Sequence, residues 1–109
     1  MDSALPSTDR IRLDFQVLVY RENDFWIAHC LETDLVAEGK TRVEAVRYLV
    51  DITDAQVKVA IEEGDLKSIF SPAPPDLWRM YATAADSDQP PIKRKKPVNR
   101  VAVRELALA

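Results

Sequence analysis

The side chains best equipped for chemistry gather between positions 22 and 34. His29 and Cys30 are neighbours, and the carboxylates Glu22, Asp24, Glu32 and Asp34 flank them. A thiol beside an imidazole suggests nucleophilic catalysis, but adjacent residues on a strand point to opposite faces, so His29 cannot act as a base for Cys30 by adjacency alone. The plainer reading makes Cys30 a small core residue and His29 a partly exposed polar side chain. One His and one Cys also fall short of a zinc site unless carboxylates or a symmetry mate complete it. Asp24, Glu32 and Asp34 could hold a divalent metal for phosphodiester hydrolysis. No spacing in this stretch brings them onto one face, and acids at strand ends more often solvate turns. Gly39 and Gly64 stand where elements end, so no glycine-rich phosphate loop is present. The reading is therefore of a chain without a catalytic residue, metal or cofactor.

The elements that position these residues follow from periodicity. Leu13, Phe15, Val17 and Val19 alternate with Asp14, Gln16, Leu18 and Tyr20, the two-residue period of a strand. A polar turn at residues 21–24 leads into Phe25, Trp26, Ile27, Ala28, His29 and Cys30, rich in strand-favouring aromatics. Pairing Tyr20 with Phe25 across a four-residue loop puts Phe15, Val17, Val19, Trp26, Ala28 and Cys30 on a core face. The other face then carries Leu18, Tyr20, Phe25 and Ile27, too much apolar surface to leave wet, and these four are the candidate oligomer or partner interface. An ordinary core face covered by the C-terminal segment and Trp78 is the competing reading. An odd-length loop would move the second strand's side chains to the other face.

Residues 35–38 read as a brief third strand ended by Gly39. Thr41 and Glu44 have the spacing of a capping box, with Thr41 accepting from the Glu44 amide and the Glu44 side chain returning to the Thr41 amide. Val43, Val46, Val50, Val57, Ala60 and Ile61 recur at helical spacing, and Gly64 marks the stop, which predicts one helix over residues 41–63. Residues 65–70 add a helical turn. Residues 71–75, with three prolines, must be irregular. Residues 77–81 form a short helix carrying Trp78. Residues 84–91 open a second linker, and residues 98–106 return to the sheet edge beside the first strand. The fold class is α+β: a three-stranded antiparallel meander, one long helix and a C-terminal fourth strand, in the order β-β-β-α-β. Residues 1–10 are a flexible arm, and residues 11–109 one domain with a proline-rich insert at 71–75 and a linker at 84–97.

At 109 residues the chain is long enough for one core. Its 47% apolar and 30% charged residues argue against global disorder. A single cysteine permits no intrachain disulfide, and the first ten residues lack the pattern of a secretion signal, so the reducing cytoplasm is the expected location. No apolar run is long enough for a bilayer. Charge is divided unevenly. Residues 1–92 hold 9 Lys/Arg against 17 Asp/Glu, a net −8, while residues 93–109 hold 6 against 1, a net +5. An acidic body attracts basic proteins, whereas Lys93, Arg94, Lys95, Lys96 and Arg100 could touch phosphate without reading sequence.

The stretch Ala28, His29, Cys30, Leu31, Glu32, Thr33, Asp34, Leu35, Val36, Ala37, Glu38, Gly39, Lys40, Thr41, Arg42, Val43, Glu44 and Ala45 resembles the "AHC-E-DL-A-G-T" signature of the HicB antitoxin family. With the hairpin before it, the likeness runs from Phe15 to Leu49, about a third of the chain. The resemblance implies a degenerate RNase H-like β-β-β-α-β unit without catalytic acids, assembled as a dimer or tetramer, that neutralises a small basic RNA-cleaving toxin called HicA. Residues 64–109 show neither the helix-turn-helix nor the ribbon-helix-helix pattern that HicB antitoxins usually carry for DNA binding, and the family's double glycine in the hairpin is absent. The sequence thus suggests a non-catalytic protein-binding module, an antitoxin or stand-alone relative. The alternative is a homo-oligomeric protein with nonspecific nucleic-acid contact through its basic tail.

Overall fold

The computed structural model describes residues 13–86, 92–93 and 98–106. The arm expected at residues 1–10 lies outside them. The described chain is α+β and contains the expected β-β-β-α-β frame. Strands β1 (Leu13–Glu22), β2 (Phe25–Cys30) and β3 (Val36–Gly39) form an antiparallel meander, followed by helix α1 (Arg42–Glu62). A 3-10 turn (Leu66–Ile69), helix α2 (Pro75–Thr83) and the two-residue strands β4 (Ala85–Asp86) and β5 (Ile92–Lys93) precede the final strand β6 (Val98–Glu105). The sheet runs β3-β2-β1-β6-β4, with β6 parallel to β1 and β5 antiparallel to β6. Residues 84–97, read as a linker, thus contribute two short pieces to the outer edge of β6.

The hairpin turn is tighter than expected. Glu22 pairs with Phe25 and Tyr20 with Ile27, leaving a two-residue loop in which Asn23 adopts φ 56°. Asn tolerates this left-handed conformation better than most residues, so no glycine is needed. The register differs from the expected one by two residues, an even number, and every side chain keeps its face. Phe15, Val17, Val19, Ala28 and Cys30 indeed join the main core, with Trp26 half-buried at its margin.

Helix α1 covers this face with Ala45, Val46, Leu49, Val50, Thr53, Val57 and Ala60. Val43 does not join them. It lies in the first turn, to one side of the buried stripe, and is exposed. The Glu44 amide donates to Thr41 Oγ1 at 3.0 Å, while the Glu44 carboxylate reaches back to the Lys40 amide at 2.9 Å, one residue earlier than a standard box. At the other end the Gly64 and Asp65 amides donate to the Ile61 and Ala60 carbonyls, and Gly64 has φ 68°. This is a Schellman closure, which requires the left-handed residue that glycine supplies most easily.

The opposite face of the sheet is also covered. Ser71 donates to the Glu32 carbonyl and Ala73 to the Leu31 carbonyl, so the proline-rich segment is strapped across the end of β2. Pro75 then starts α2 at a position where its missing N–H costs nothing. Leu18, Leu31, Ala73 and Tyr81 form a second core cluster, with Tyr20, Leu77, Trp78 and Leu106 packed around it. The result is a sheet sandwiched between α1 and α2.

Candidate interaction surfaces

The four residues expected to form an interface do share one sheet face, but they differ in access. Leu18 is fully buried under the α2 cluster and Ile27 is buried. Tyr20 is half-buried, and Phe25, at the hairpin tip, is exposed. Within one chain only Phe25 and part of Tyr20 therefore present surface.

His29 corrects an expectation, since it is buried where a partly exposed side chain was expected. It lies on the Leu18 face, opposite Leu18 itself, while Cys30 points into the main core. His29 Nε2 is 2.6 Å from Asp34 Oδ1, and its Nδ1 is 3.3 Å from the Tyr20 hydroxyl. An ionised carboxylate can only accept, so Nε2 carries the proton and donates, and in the neutral ring Nδ1 accepts from Tyr20. The order Tyr-His-Asp has the form of a nucleophile, a base and an orienting acid. Burial, with help from Glu22 and Asp34, raises the Tyr20 pKa, which makes the phenol a poorer nucleophile. The arrangement acts as a clasp that holds the β2–β3 turn, where Asp34 sits at φ 61°. Strand parity places His29 beside Tyr20. The approach of Asp34 depends on its left-handed backbone, which no local sequence signal specifies.

The four carboxylates are divided between the two ends of β2. Glu22 and Asp24 lie at the hairpin turn, whereas Glu32 and Asp34 follow Cys30, six strand residues and about 20 Å away. Glu32 Oε1 accepts from the Gln16 amide at 2.9 Å and from Cys30 Sγ at 3.8 Å. Burial raises the pKa of both the Glu32 carboxyl and the Cys30 thiol. Among the described residues no three His, Cys, Asp or Glu side chains come together in a way that could hold a metal ion.

A surface that the sequence reading missed lies at the other edge of the sheet. Among the described residues β3 is an edge strand. An open groove of about 620 Å³ runs between it and α1, lined by Val36, Ala37, Glu38, Tyr48, Asp51 and Ile52. Val36, Tyr48 and Ile52 are 46%, 41% and 43% exposed, too open to count as core. The signal was present in the helix. Tyr48, Ile52, Ala55 and Val59 recur at spacings of four, three and four on the outer side of α1, a second apolar stripe beside the buried one.

Of the basic tail, Lys93 pairs in register with Arg100 between β5 and β6, whereas Arg94, Lys95 and Lys96 lie outside the described residues. Among the described residues no helix is long and apolar enough to cross a membrane. The chain matches no family model, no curated protein and no solved structure.

Proposed function

We propose that this chain is a non-catalytic protein-binding domain of the cytoplasm, a HicB-like antitoxin or stand-alone relative that forms a dimer or tetramer and sequesters a small basic RNA-cleaving toxin. The observation that supports it best is an exposed apolar surface on an acidic body: Val36, Tyr48 and Ile52 stand open beside Glu38 and Asp51, on a segment carrying a net −8 over residues 1–92. Apolar area supplies affinity for a protein partner, and the surrounding carboxylates select and steer a basic one. The signature at residues 28–45 adds the toxin class. Two acids of the signature region have structural contacts, Glu32 accepting from the Gln16 amide and Asp34 holding His29, while Glu38 stands exposed at the groove.

The test is the molar mass of the purified chain by size exclusion with light scattering, alone and mixed with a HicA-type toxin whose RNA cleavage is followed in parallel. A stoichiometric complex with loss of cleavage is expected. A toxin that elutes separately and keeps cleaving would refute the reading.

The division of charge supports a second reading, nonspecific nucleic-acid contact through Lys93, Arg94, Lys95, Lys96 and Arg100, which belong to a segment of net +5. Binding to single- or double-stranded nucleic acid would then fall steeply as salt rises, because phosphate contacts release counterions. Salt-independent binding, or none at low salt, would exclude it.

A further inference from the structure

We propose that β3 and α1 form a strand-addition site, which takes an extended polypeptide segment with an apolar residue at its centre and a basic residue beside it. The proposal rests on the protein-binding reading above and specifies where and how that binding occurs.

The backbone of β3 provides one half of the site. Cys30 donates to the Leu35 carbonyl at 2.8 Å, and Ala37 pairs with Ala28. By the alternation of an antiparallel ladder, Leu35, Ala37 and Gly39 then turn their peptide groups toward β2, while Val36 and Glu38 turn theirs toward the edge that no other described strand covers. Two N–H and two C=O groups are thereby presented at ladder spacing. An edge of this kind pairs with another extended segment unless something blunts it.

Side chains provide the other half. Ala37 faces α1, and a residue added opposite Ala37 points the same way, toward Tyr48 and Ile52 of the groove. That position calls for an apolar side chain. Residues on either side of it emerge on the face of Val36 and Glu38, so the one opposite Glu38 is matched by Lys or Arg. Both charged groups that line the groove, Glu38 and Asp51, are carboxylates, and both residues are exposed. This charge decides the occupant. A second copy would bring its own Glu38 and Asp51 carboxylates to an edge that already carries two, and that excess of like charge disfavours self-pairing. A basic segment is complementary instead.

The test uses the full chain, labelled for amide NMR, and the capped peptide Thr-Arg-Ile-Arg-Thr, whose core reads the same in both directions. Saturable shifts confined to residues 36–38 and 48–52 are expected. The affinity should fall at least about fivefold for the double variant Glu38→Lys with Asp51→Lys, in line with loss of the charge pair at Glu38 and of the acidic field that Asp51 adds from α1. The same loss is expected for the peptide Thr-Glu-Ile-Glu-Thr. Methylation of the three core amide nitrogens of the peptide should abolish the shifts. Shifts elsewhere, no shifts at millimolar peptide, or equal binding of the methylated or acidic peptide would overturn the proposal. So would concentration-dependent exchange protection of the Val36 and Glu38 amides without peptide, which would assign the edge to a second copy. A toxin complex that leaves residues 36–38 unperturbed would sink strand addition alone, whereas peptide binding at β3 without a toxin complex would sink only the antitoxin reading.

Discussion

Replacing Leu18 with Ala tests whether the second sheet face is closed within one chain. Leu18 has no exposed surface and packs in a cluster with Leu31, Ala73 and Tyr81. The substitution removes three carbon atoms, worth about 2.4 kcal/mol at roughly 0.8 kcal/mol per buried group. The cavity left behind adds to this, and comparable Leu→Ala changes cost about 2.7–5 kcal/mol. Leu77 and Trp78, half-buried on a short helix, can relax into part of the space. A loss near 3 kcal/mol is therefore expected, a large share of the roughly 5–15 kcal/mol that stabilises a domain. Urea unfolding followed by circular dichroism would show it as a midpoint about 1–3 M lower, for a slope of about 1–3 kcal/mol per M. The loss should be the same at protein concentrations tenfold apart, because α2 and not a neighbouring molecule covers Leu18. A loss below about 1 kcal/mol, or one that depends on concentration, would refute that assignment and return the face to the role of an interface.

Other substitutions test single contacts. At Gly39 an added Cβ would collide with the Ala45 backbone nitrogen, so Gly39→Ala must push β3 away from the first turn of α1. A destabilisation of about 1–3 kcal/mol in the same assay is expected, and a neutral variant would show that this approach is looser than described. Burial raises the Glu32 pKa, so its charged form is disfavoured by folding. Its contribution to stability is present at low pH and is lost as pH rises through the folded pKa. Glu32→Gln keeps an acceptor for the Gln16 amide and cannot ionise. It should melt above the parent at neutral pH, with the gap closing as pH falls toward the ordinary carboxylate range; a parent that gains on the variant with rising pH would contradict the sign. Cys30 is 1% exposed, with its thiol pKa raised by burial, so a thiol reagent should modify it no faster than the chain unfolds. Rapid labelling of the folded protein would show that the core opens locally at β2.

Local patterns carry much of this protein in its sequence. Alternation from Leu13 to Cys30 defines two strands, and because side chains repeat every second residue, a hairpin two residues tighter than expected leaves the faces unchanged. Thr41, Glu44 and Gly64 delimit α1 because capping needs only near neighbours. What tertiary structure decided is contact between distant segments. The proline-rich stretch does not announce that it will strap to Glu32 and Leu31, yet those two backbone bonds bring α2 over Leu18 and turn a candidate interface into a second core. His29 becomes buried for the same reason, closed in by a turn in which Asp34 takes a left-handed conformation. The groove at Val36, Tyr48 and Ile52 exists only because β3 falls at the sheet edge, and strand order depends on which strands meet in space. Periodicity specifies which side of an element is apolar; what will cover that side depends on packing across the whole chain.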